Sequence, residues 1–178
     1  MNLENVFSTE ERVVIIKNIL YLEREFGVNE IANKSKLSKG LVSKYFNILL
    51  KEVIIKKANR KFLVDDDNTR SLKILLNIQK IDINIFKRYD FVKAVGLYGS
   101  CAKGTNTENS DVDIWIKIEN GNQEDTINLT SNLLKTVDNV KILLLDDKKL
   151  DILKKEDTLF YHSLYFGSII IYGKENEI

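Results

Sequence analysis

The sequence predicts an α+β protein in two parts: a helical N-terminal segment closing in a short basic hairpin, then a small mixed-sheet domain. Three observations carry this. Apolar residues recur at helical spacing up to about Val53. Residues 34–61 hold nine basic side chains (Lys34, Lys36, Lys39, Lys44, Lys51, Lys56, Lys57, Arg60, Lys61) against Glu52 alone. The stretch from Ala94 to Glu119, AVGLYGSCAKGTNTENSDVDIWIKIE, reads as strand, glycine turn, short helix, polar loop and second strand. The boundaries that follow are residues 1–64, a helical connector over 65–92, and 93–178.

Composition narrows the class. With 178 residues, 44% hydrophobic and 30% charged, the chain has the make-up of a globular protein with a proper core. No apolar run approaches the ~18 residues of a membrane span and no signal peptide opens the chain, so a cytoplasmic protein without a membrane partner is expected. A single cysteine, Cys101, excludes an intramolecular disulfide, and with no proline every helix break falls to glycine and polar turns. Net charge is only +1, so the basic block is a local feature and points to a polyanion.

In order along the chain, Ser8 with Glu11 forms a capping box for a long helix through about Phe26, with Val13, Ile16 and Leu20 on one side. Gly27 ends it. A shorter helix, Glu30 to Ser35, and a turn with Ser38 as cap lead into a third helix from Lys39 to about Glu52. Leu41, Val42, Tyr45, Phe46, Leu49, Leu50 and Val53 form its inward stripe; Lys39, Ser43, Lys44, Asn47 and Lys51 fall on its other faces. Ile54–Lys57 and Phe62–Val64 read as strands around Ala58-Asn59-Arg60-Lys61. Helix, helix, turn, helix and basic hairpin resembles a winged helix-turn-helix. That resemblance implies double-stranded DNA as partner, with Lys39, Ser43, Lys44 and Asn47 at the major groove and Lys56, Lys57, Arg60 and Lys61 on backbone phosphates.

Asp65-Asp66-Asp67 reads as a solvated turn with a cap, before a helix from Thr69 to about Lys80. Ile81–Phe91 suggests a further helix on Ile85, Phe86 and Tyr89. Val95–Tyr98 is a strand that stops at Gly99-Ser100, where backbone amides can gather around an anion. In the strand opened by Ser110-Asp111-Val112-Asp113, alternation puts Asp111 and Asp113 on one side and Val112 and Ile114 in the core. Two convergent carboxylates beside such a turn suit a divalent cation carrying a nucleoside triphosphate. A helix over Gln123–Val137, with Ile127, Thr130, Leu134 and Val137 inward, precedes the strand Val140–Leu145. A helix from Asp147 to Glu156, the aromatic segment Leu159–Phe166, a strand Ser168–Tyr172 and a charged tail from Gly173 complete the chain. Cys101 and His162 read as packing residues, and the aromatics as core or dimer packing.

Gly-Ser, then Gly104, then Ser-Asp-x-Asp on a following strand resembles the signature of the polymerase-β-type nucleotidyltransferases, including the minimal members. The resemblance implies NTP binding by Gly99, Ser100, Lys103 and Ser110, and Mg²⁺ held by Asp111 and Asp113 as the catalytic pair. It further implies attack of a hydroxyl on the α-phosphate with loss of pyrophosphate. The family's third carboxylate is missing: Lys141 stands in its apparent place, and Asp138, Asp146 and Asp147 lie only at the ends of that strand. A weak or inactive nucleotidyltransferase fold, acting as a transcriptional regulator or an antitoxin-like protein with a protein partner or as a homodimer, is the alternative expectation.

Overall fold

The structure, a computed structural model, describes residues 1–174, so most of the predicted charged tail lies outside the described residues. The chain divides into two compact units, Met1–Lys73 with Thr107–Asn109, and Ile74–Asn106 with the described chain from Ser110. The stretch expected to connect two domains, 65–92, is thus shared between the units.

The first unit contains α1 (Leu3–Phe7), α2 (Glu10–Ile19), α3 (Val28–Ser35), α4 (Lys39–Lys51) and a hairpin of β1 (Ile55–Ala58) and β2 (Lys61–Val64). The single helix predicted from Ser8 to Phe26 is corrected to two. Asn2 and Thr9 cap α1 and α2, while the Ser8 hydroxyl accepts from Arg12 Nη1 at 2.7 Å. The chain leaves the helix after Ile19 because Phe26 exchanges both backbone hydrogen bonds with Phe62, each 2.9 Å. Phe26, Phe46 and Phe62 then pack ring on ring, with Phe26 fully buried, which outweighs continuing the helix.

Gly27 in extended backbone caps α3, which starts at Val28 rather than Glu30. Ser38 caps α4 as the sequence predicts, its hydroxyl accepting from Leu41 N at 3.3 Å. Val42, Tyr45, Phe46 and Leu49 are buried, and the Tyr45 hydroxyl donates to Val6 O at 2.8 Å, tying α4 to α1. Val53, predicted inward, is exposed, because it turns the chain out of the helix with φ 58. The hairpin pairs Ala58 with Lys61 across a two-residue turn, Asn59 taking the left-handed conformation.

The helix α5 (Asp66–Gln79) begins three residues before the predicted Thr69, since the Asp65 carboxylate already accepts from Asn68 N at 3.3 Å. In the second unit a 3₁₀ helix, Ile83–Arg88, leads to β3 (Val92–Tyr98), α6 (Gly99–Lys103) and β4 (Val112–Ile118). Then follow α7 (Gln123–Thr136), β5 (Val140–Leu145), α8 (Asp147–Glu156), α9 (Thr158–Gly167) and β6 (Ile169–Tyr172). The sheet is mixed, in the order β5-β4-β3-β6, with β4 and β5 parallel and the other pairs antiparallel.

Strand alternation gives each face its own core. Val95, Leu97, Val112, Ile114 and Ile116 pack with Phe86 of the 3₁₀ helix and with Leu129 and Leu133 of α7. Ala94, Trp115 and Leu145 pack on the other face with Leu150 of α8 and Leu164 of α9. Gly96 is needed there: a Cβ on it would overlap the Trp115 indole, whose Nε1 donates to Ser168 Oγ at 2.9 Å. Of the inward face predicted for α7, Val137 is buried and Thr130 half-buried, but Ile127 and Leu134 are exposed and Leu129 and Leu133 are buried instead. In α9 Leu164 is buried, whereas Leu159 and Phe166 are exposed. Among the described residues no helix is long and apolar enough to cross a membrane.

Candidate functional site

Gly99 ends β3 and opens α6 with φ +67, a conformation natural to glycine. A Cβ there would lie 2.5 Å from Asp113 Oδ2, so the absent side chain is also what lets the carboxylate reach the turn. Gly104 closes α6, its N–H donating to Ser100 O. Sequence reasoning assigned Gly99 to an amide cradle and missed this second task, which needs the β3–β4 register to be seen.

That register places Tyr98 opposite Asp113 and Asp113 opposite Lys141. In-register neighbours on adjacent strands share a face, so the three form one row across β3, β4 and β5. Val112 and Ile114 point into the opposite core, as predicted. Asp111 lies one residue before β4, where its carbonyl accepts from Cys101 Sγ at 3.3 Å. Its Oδ2 is 2.5 Å from Lys141 Nζ.

The charges report on one another. Partial burial pushes the Asp113 carboxyl above its ordinary value and Asp111 adds to that, while Lys141 pulls it back. The Lys141 ammonium is held charged to higher pH by its bond to Asp111 and the nearby Asp113. Burial, with help from Asp113, likewise pushes the Tyr98 phenol up. Cys101 is fully buried and burial pushes its thiol up to about 11, so it packs and fastens the Asp111 backbone rather than reacting.

Among the predicted site residues, Gly99, Asp111 and Asp113 are thus brought together with Lys141. Ser100 and Ser110 are half-buried at the turn and just before Asp111, and Lys103 is exposed in the last turn of α6. Of the acids at the ends of β5, Asp146 and Asp147 are engaged elsewhere. Asp146 caps α8, accepting from Lys149 N at 2.7 Å, and Asp147 pairs with the buried Lys117. Sequence reasoning missed Asn77 and Asn106, both buried. Asn77 Nδ2 donates to Cys101 O at 2.9 Å and to Asn106 Oδ1 at 2.8 Å, bracing both sides of the glycine turn. A polar residue in an otherwise apolar helical stripe was the available signal.

Among the described residues no three or more His, Cys, Asp or Glu side chains gather as a metal cluster. The Asp111–Asp113 pair does fit one Mg²⁺, which commonly takes one or two carboxylates plus substrate phosphates and keeps its remaining waters. Burial first and then Asp111 push the Asp113 carboxyl up, and a cation at the pair would offset that push.

In the first unit Lys39, Ser43, Lys44 and Asn47 are exposed on α4, and Lys56, Lys57, Arg60 and Lys61 are exposed on the hairpin. Among the described residues none of these six cations is held in a salt bridge.

A glycine turn facing an aspartate pair on a small mixed sheet defines a nucleotidyltransferase fold. The chain belongs to the family described as Polymerase beta, Nucleotidyltransferase, which matches residues 79–177. Solved structures similar to it include a toxin–antitoxin with AMP-PNP, at 21% identity over 55% of this chain and 74% of that one, TM-score 0.40. A candidate nucleotidyltransferase from Sulfolobus solfataricus is similar at 17% identity over 64% of this chain and 91% of that one, TM-score 0.39. A tri-AMPylated Shewanella oneidensis HEPN toxin in complex with MNT antitoxin is similar at 14% identity over 60% and 74%, TM-score 0.34. No curated protein matches the chain.

Proposed function

We propose that the protein is a Mg²⁺-dependent nucleotidyltransferase brought to duplex DNA by its N-terminal unit. The observation that carries the first half is the approach of Asp113 to Gly99, which sets a carboxylate against the turn that ends β3. In this reading Gly99 and Ser100 receive the triphosphate at the turn, and Lys103 lends it positive charge from α6. Asp111 and Asp113 hold Mg²⁺, with Ser110 bracing the loop before them. The bound ion would stabilise charge on the attacking and leaving oxygens of in-line transfer. Tyr98 stands beside the pair, opposite Asp113 in the strand register. The acceptor is a hydroxyl.

The N-terminal unit has the order of a winged helix, and its unpaired cations on α4 and the hairpin support contact with the phosphate backbone. A second reading, nucleotide binding with slow or no transfer, is favoured by Lys141, whose ammonium occupies Asp111.

Incubating the full chain with α-labelled NTPs and Mg²⁺ tests the proposal through pyrophosphate release and labelled acceptors. Transfer that disappears in Asp113→Asn supports the first reading. Metal-dependent NTP binding without pyrophosphate release supports the second. NTP affinity that is the same with and without Mg²⁺, and unchanged in Asp111→Asn/Asp113→Asn, overturns both.

A further inference from the structure

Lys141 has no place in the carboxylate chemistry just described, yet it is the side chain most firmly joined to it. It sits opposite Asp113 in the β4–β5 register, on the same sheet face, and its Nζ lies 2.5 Å from Asp111 Oδ2. Both partners remain open to solutes, with side chains 65% and 42% exposed. β5 is an edge strand, so nothing on its far side competes for the ammonium within the sheet. Two acids just beyond the end of that strand, Asp146 and Asp147, are committed to a helix cap and to Lys117.

We propose that Lys141 is the resident cation of this site: its ammonium holds Asp111 and takes the place that a second divalent ion would need. The nucleotide-loaded site therefore accepts a single divalent ion. This rests on the reading of the aspartates as a metal site. The charges make the case. Without nucleotide, two carboxylates and one ammonium leave a single net negative charge, and with the ammonium on Asp111 the carboxylate left open to a divalent ion is that of Asp113. A second ion would enter beside two cations with no free carboxylate left for it, and like charges a few ångströms apart repel strongly.

The test counts Mn²⁺ by electron paramagnetic resonance on the full chain loaded with α,β-methylene ATP. One Mn²⁺ per loaded wild-type chain is expected, and two for Lys141→Asp, whose new carboxylate restores a second position. Without nucleotide, Lys141→Met should bind Mn²⁺ about tenfold tighter than wild type, because a like charge has gone while shape is kept. Two Mn²⁺ in the wild type, or equal Mn²⁺ affinity in wild type and Lys141→Met, overturns the proposal while leaving the aspartate site standing. A loaded Asp111→Asn/Asp113→Asn chain that keeps the wild-type count and affinity overturns the site itself, whatever Lys141 does.

Discussion

Asp113 is squeezed between three influences, and its titration carries a stability signature. Burial first and then Asp111 raise its carboxyl above 3.8, against the pull of Lys141. The folded chain therefore keeps that proton at pH values where the unfolded chain has lost it. Stability falls as pH rises through this window, and the loss is complete above the folded-state value. Asp113→Asn removes the penalty. Metal-free melting at pH 7 should be higher in the variant than in wild type, and the advantage should vanish below pH 3.8. Equal melting temperatures at pH 7 would show that the pair carries no strain. Gly99→Ala tests the neighbouring contact. A left-handed alanine costs about 1–2 kcal/mol, and its methyl would also displace Asp113 Oδ2. Melting should drop and calorimetric Mg²⁺–NTP affinity should fall at least about tenfold. Gly40→Ala is the control: nothing lies within 4 Å of its would-be Cβ and its φ is ordinary, so α4 should gain stability.

Elements are positioned by which face they bury, and α7 shows how narrowly this is decided. Ile127 and Leu134 share a helical face with Thr130, yet both are exposed, while Leu129 and Leu133 are fully buried against β4 and the 3₁₀ helix. Leu133→Ala should destabilise the chain by about 2–5 kcal/mol through lost burial and a cavity. Leu134→Ser should change stability by no more than about 0.5 kcal/mol. Denaturant midpoints for the two variants decide between the faces; the reverse order would mean that α7 is rotated. The hairpin illustrates a different element-scale rule. Its anchor is not in the hairpin at all but in Phe26, which pairs with Phe62 and packs on Phe46.

For the whole molecule the governing quantity is how charge is segregated. A net charge of +1 would steer the protein to nothing, but nine of its basic side chains crowd residues 34–61. Full-length protein should bind duplex DNA with affinity that falls steeply as salt rises, because each neutralised phosphate releases counterions. Replacing Lys56, Lys57, Arg60 and Lys61 by alanine should weaken binding to all sequences alike. It should also lower the slope of log affinity against log salt by roughly 3.6. An unchanged slope would remove the hairpin from the interface.

The α+β class, the mixed sheet and the aspartate pair were legible in the sequence, because each is written in short-range pattern. Ser38 announces α4, alternation puts Val112 and Ile114 inside, and Gly-Ser followed by Asp-x-Asp marks the candidate site. Long-range pairing was not legible. The break after Ile19 follows from Phe26 finding Phe62, and the inward face of α7 from what the sheet presents to it. Lys141 could be suspected from its place on β5, but only the parallel β4–β5 register sets it opposite Asp113 and onto Asp111. Local sequence determines which backbone conformations and side-chain charges are available. Which of those charges meet is decided by strand register, where a slip of one residue would turn Lys141 to the opposite face.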